Sequence, residues 1–71
     1  MTENAYVQAI TCRGRHVGYG VYAERKFPDG MVQGRCLHVF RVDGKLANAT
    51  TLEVALHLAN TCRDDFNQRI K

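Results

Sequence analysis

Closely spaced turn chemistry is what most narrows the folds open to this chain. Pro28-Asp29-Gly30 couples a proline preset for the first corner of a turn to a glycine free to take a left-handed conformation. Asp43-Gly44 is the pair that a two-residue hairpin turn favours, and Arg13-Gly14-Arg15 is a weaker third turn. Between them lie segments enriched in Val, Tyr, Phe, Ile or Thr, which predict strands near Ala5–Cys12, His16–Lys26, Met31–Val42 and a short Lys45–Ala47. Connections this short join neighbours antiparallel, so the sheet should be a meander.

After Ala47 the apolar period changes from two to that of a helix. Thr50-Thr51-Leu52-Glu53 matches a capping box, with Ala49 and Val54 at the hydrophobic-staple positions. Leu52, Ala55, Leu56, Ala59, Cys62, Phe66 and Ile70 then fall on one side, with Asn60, Asp64, Asn67 and Gln68 elsewhere. Val54 and Leu58 widen that stripe. A helix of this length is marginal alone in water, so its stripe must pack on the sheet. The expected fold class is α+β: an antiparallel β-meander of three to four strands packed on one C-terminal α-helix, a single domain over residues 1–71.

Register assigns the faces. A three-residue loop at Pro28–Gly30 sets Phe27 opposite Met31, followed by Arg25 with Gln33, Ala23 with Arg35, Val21 with Leu37 and Tyr19 with Val39. That face is apolar at its centre and suits the helix. The other face pairs Tyr22 with Cys36, Gly20 with His38 and Gly18 with Phe40, and a slip of one residue would scramble the assignment. A sheet covered on one face should alternate apolar-in with polar-out. The run Cys36-Leu37-His38-Val39-Phe40 does not. Glycine within a strand weakens packing and often marks close approach of a ligand or another backbone. Either aromatics cover Gly18 and Gly20 across the strands, or the surface docks a partner. On the second reading the partner-binding residues are Tyr6, Gly18, Gly20, Tyr22, His38 and Phe40, with Ile10 beside them.

The residue inventory argues against an enzyme. There is no serine, and no cysteine is placed beside a base in a cleft. Asp64-Asp65 belongs to the solvated side of the helix, and Gly18-Tyr19-Gly20 lacks the helix that must follow a phosphate-binding loop. Cys12 with His16 and Cys36 with His38 invite a zinc reading, but no Cys-x-x-Cys knuckle supports one. Neither a metal nor a cofactor is expected. An odd count of three cysteines argues against a secreted disulfide framework and for reduced thiols in a cytoplasmic protein. No secretory leader and no apolar run of membrane-spanning length is legible, so no membrane partner is expected.

Ten Lys plus Arg against seven Asp plus Glu leave a net charge of +3, which permits an anionic partner without demanding one. The candidate nucleic-acid residues are Arg13, Arg15 and His16 on the first turn with Arg35 and Arg41 on the third strand; Arg25 and Lys26 stand before the second turn. A sheet followed by a helix is similar, in element order alone, to the three-stranded DNA-binding domains of plant transcription factors and phage integrases. That resemblance implies a sheet entering the major groove and transfers no residue roles. The leading expectation is a small non-catalytic interaction protein that binds a larger protein or nucleoprotein complex stoichiometrically. Phages and mobile elements encode inhibitors of host systems at this size, anti-CRISPR proteins among them. The alternative is a nucleic-acid-binding module using the basic first turn and the sheet, and a homodimer through the glycine-bearing face is compatible with either.

Overall fold

The computed structural model describes residues 2–69, and Ile70, expected on the helix stripe, lies outside them. Strands β1 (Thr2–Cys12), β2 (Arg15–Lys26) and β3 (Val32–Arg41) form an antiparallel sheet in the order β1-β2-β3, and helix α1 (Leu52–Arg69) packs on one face. This is the α+β meander expected from the turns. Arg13 and Gly14 both carry positive φ, 53° and 78°, as a two-residue hairpin of the primed type requires. The second turn closes as a three-residue loop: the Gly30 N–H donates to the Phe27 carbonyl at 3.0 Å and the Phe27 N–H to the Met31 carbonyl at 2.9 Å.

The short strand expected at Lys45–Ala47 does not form. Gly44 turns the chain at φ 75°, and the Ala47 N–H closes on its carbonyl at 3.3 Å. Asn48 then returns to β3. Its Oδ1 accepts from the Arg41 N–H at 2.8 Å, its Nδ2 donates to the Val39 carbonyl at 2.9 Å, and its own N–H donates to the Arg41 carbonyl at 3.0 Å. Asn48 thus covers the last part of an edge that a fourth strand would otherwise have paired.

Buried hydrophobic positions are Ala5, Val17, Val21, Ala23, Ala55 and Ala59, all short. The helix meets the sheet along this seam, and Val7, Tyr19, Leu37, Phe40, Cys62 and Phe66 pack around it. Relative to the expected stripe, α1 is rotated so that Leu56, at 36% exposure, reaches solvent with Val54, at 39%. Asn67, expected away from the sheet, points inward. Its Oδ1 accepts from the Ala5 N–H at 2.8 Å and its Nδ2 donates to the Ala5 carbonyl at 3.1 Å, completing the edge of β1 as an adjacent strand would. The cap also moves by one residue. The Val54 N–H donates to Thr51 Oγ1 at 3.1 Å, so Thr51 is the N-cap, Glu53 falls one position short of closing a capping box, and Thr50 stays outside.

Two variants check this architecture. Thr51→Ala should cost about 1 kcal/mol by loss of the N-cap bond, with Thr50→Ala nearly neutral in the same urea titration. Asn67→Ala removes both bonds to Ala5 and should cost about 1–3 kcal/mol; a change confined to tenths would mean that water replaces the carboxamide at no loss.

Candidate docking face

The geometry of the open face is set by a β-bulge in β3. The expected pairs Arg25 with Gln33 and Ala23 with Arg35 are observed, but the register slips between Val21 and Tyr22. Tyr22 pairs with Cys36 and Val21 with His38, leaving Leu37 as the extra residue. Beyond a bulge the alternation of faces is inverted. Phe40 therefore pairs with Tyr19, not Gly18, and packs into the core. His38 goes with it: it is exposed at the rim, with its ring 4.3 Å from that of Phe40. The face assignment of these two residues is thereby corrected.

The bulge delivers Val39 and Arg41 to the open face in their place, opposite Gly20 and Gly18. Tyr6 and Tyr22 are cross-strand partners there, with ring centroids 5.8 Å apart and planes tilted by 30°. Ile10 opposite Gly18 and Gln8 opposite Gly20 complete the surface toward β1. Tyr6, Gly18, Gly20 and Tyr22 are thus brought together as expected, and His38 and Phe40 are not. The parity change that introduces Val39 has no local sequence signal except the failure of alternation around Leu37.

The two glycines serve different contacts. A Cβ on Gly20 would meet the Tyr22 ring, 2.7 Å from Cε2 and Cζ, so this tyrosine lies over the strand and covers it. A Cβ on Gly18 would collide with the Phe40 carbonyl oxygen and stand 2.9 Å from Arg41 Cα. Here β3 approaches too closely for any side chain, just before the Val42 N–H donates to the Val17 carbonyl at 2.9 Å.

The basic residues do not form one patch. Arg35 reaches Glu3 at 3.5 Å and lies 5.8 Å over the Phe66 ring; Arg25 shares the same Glu3 at 3.3 Å. Arg41 is held by Asp43 through Nε at 3.0 Å and Nη2 at 3.0 Å. Arg13 and Arg15, at the opposite end from Arg35, have no ion-pair partner among the described residues. With Cys12, His16, Val17, Val42 and Asp43 they line a shallow groove of about 420 Å³. His16 is engaged internally, its Nε2 3.0 Å from the Gly18 carbonyl and its ring edge-on to Tyr19 at 4.7 Å.

Cys12, Cys36 and Cys62 are unpaired thiols. Among the described residues, no group of three or more His, Cys, Asp or Glu could hold a metal ion, and no helix is long and apolar enough to cross a membrane. In comparison with known proteins, no family model, no curated protein and no solved structure matches the chain.

Alanine at the two glycines separates their roles. Gly18→Ala meets backbone and should cost about 1–3 kcal/mol, as overpacking does. Gly20→Ala meets the end of a side chain that can swing aside, and should cost visibly less in the same thermal melts.

Proposed function

We propose that this chain is a non-catalytic interaction protein that binds a larger protein or nucleoprotein complex through the open sheet face centred on Tyr6 and Tyr22. The observation that carries this is the tyrosine pair on a sheet face with no second layer. Tyr6 keeps 40% of its surface exposed. Tyrosines held by neighbours lose little rotamer freedom on binding and present both an apolar ring and a hydroxyl, which is why they recur as interface anchors. Val39, Ile10 and Cys36 extend the apolar part of the face, while Gln8 and Asn4 supply a polar rim. The three unpaired thiols support action in the cytoplasm, where such thiols stay reduced. Blocking a host complex by occupancy, as small proteins of phages and mobile elements do, is one form this activity takes.

A second reading has its own observation: Arg13 and Arg15, at the tip of the first hairpin, have no ion-pair partner among the described residues, whereas Arg25, Arg35, Arg41, Arg63 and Arg69 each have a carboxylate partner. A phosphate backbone is what such a tip would contact. The full five-residue basic set is not available for it, because Arg35 is turned toward Glu3 and Phe66 at the far end.

Capture from nuclease-treated lysate followed by titration of the purified partner separates the two. Tyr6→Ala should weaken binding by more than about 2 kcal/mol, as at a hot spot, with little salt dependence. The double change Arg13→Ala with Arg15→Ala should mainly slow association. If instead that double change abolishes binding to mixed-sequence DNA or RNA, and the slope of log affinity against log salt falls by about 0.9 per lost phosphate contact, the nucleic-acid reading holds.

A further inference from the structure

Gly34 is the one strand glycine that the chain's own packing does not explain. A Cβ there would meet only the Ala23 carbonyl oxygen, at 4.0 Å, which is ordinary contact, and its φ is not in the left-handed region. Yet it sits midway along the most exposed stretch of the sheet, since Val32, Gln33, Gly34, Arg35 and Cys36 are all exposed. Glycine in such a place commonly marks the approach of another backbone.

The backbone groups of this stretch are open as well. The Phe27 N–H bond to the Met31 carbonyl fixes a hydrogen-bonded pair at the turn, and pairs alternate along an antiparallel ladder. The N–H and C=O of Val32, Gly34 and Cys36 therefore point outward from β3. Further along β3, Asn48 and Ala49 take the Val39 carbonyl and both Arg41 groups, and on the opposite edge of the sheet Asn67 takes Ala5. Neither side chains nor backbone of the described residues bond the outward groups of Val32, Gly34 and Cys36. The stretch carries no proline, no lysine and no bulge, which are the usual guards of a free edge. Its one charge, Arg35, is turned to Glu3 on the helix side.

We infer that two copies of the chain pair antiparallel through Val32–Cys36 about a two-fold axis at Gly34, joining their sheets into one. The segment is self-complementary about that residue. Gly34 faces Gly34 of the second copy, where neither has a side chain to obstruct the approach. Val32, 52% exposed, faces Cys36 of the second copy, and Gln33 faces Arg35, so no like charges meet. All three outward positions on each copy become hydrogen-bonded pairs, as the ladder requires. The surface area is larger than that of a compact monomer. The chain exposes 5258 Å² at 8.0 kDa, where a compact monomer of that mass exposes about 4,450 Å². The excess of about 800 Å² is spread over a slab of 40 × 25 × 16 Å, and the free edge of β3 is one part of it. The Tyr6–Tyr22 face stays uncovered in this dimer, and two such faces become continuous.

Sedimentation equilibrium of the purified full chain should give twice the 8.0 kDa mass at micromolar concentration. Gly34→Pro removes an N–H that bonds nothing within the chain and is tolerated at a strand edge; it should sediment as a monomer with an unchanged circular dichroism spectrum. Register is tested by Val32→Cys in a Cys12→Ala background. Facing residues in a hydrogen-bonded pair lie about 5.5 Å apart at Cα, within disulfide reach, so mild oxidation should give a covalent dimer. Cys12→Ala alone should not crosslink, because the two copies of Cys36 lie about 13 Å apart in this register. A parent chain monomeric up to millimolar concentration, a folded Gly34→Pro that still dimerises, or a dimer in which Val32→Cys forms no interchain bond would each overturn the proposal. If Gly34→Pro fails to fold, the crosslink decides alone.

Discussion

Everything in this molecule depends on how closely α1 can lie on the sheet, and that is set by alanines. Ala59 packs with Ala5 and Val21, Ala23 and Ala55 are buried as well, and Val21 is the largest side chain among the fully buried residues. With nothing longer in between, the helix backbone comes down near the strands, and larger groups such as Phe66, Tyr19 and Phe40 are displaced to the flanks, where they wrap the seam. The arrangement is economical in volume and weak in area, since burial stabilises in proportion to the apolar surface removed from water. A chain of this size depends on its polar contacts more than a larger domain does.

Those polar contacts are concentrated at the sheet edges. Asn67, on the helix, and Asn48, on the loop, each present a carboxamide to a strand edge, donating to a carbonyl and accepting from an N–H as a peptide group would. An edge closed by a single side chain is protected only locally, however, which leaves the first half of β3 without cover. The extents of 40 × 25 × 16 Å describe a thin slab, and the radius of gyration of 13.4 Å exceeds the value of about 11 Å for a compact chain of this length.

The architecture was legible in the sequence because its signals are local. Pro28-Asp29-Gly30 set its loop and the first two cross-strand pairs of β3 as expected, and the helical period placed α1. What was not legible depends on the third dimension. The extra residue at Leu37 leaves no mark in composition, yet it inverts the face of everything after it and so carries Phe40 and His38 away from the candidate face while bringing Val39 in. Thr50 and Thr51 are equally good caps by type, and only the path of the preceding loop selects the second. Asn67 looks like any solvated helix residue until the close approach of the helix brings Ala5 within reach. Of the candidate site, Tyr6, Gly18, Gly20 and Tyr22 could be assigned because β1 and β2 keep one register as far as the Ile10–Gly18 pair.

The bond between Asn67 and Ala5 spans 62 positions, nearly the whole described chain, within a fold whose strand pairings are otherwise between neighbours. As the chain leaves the ribosome the three strands can zip in turn, but the outward peptide groups of Ala5 find their partner only when the last turn of α1 has emerged. The meander is therefore built early and sealed late. In that order of events the helix is a fastener for β1 as much as the second layer of the fold.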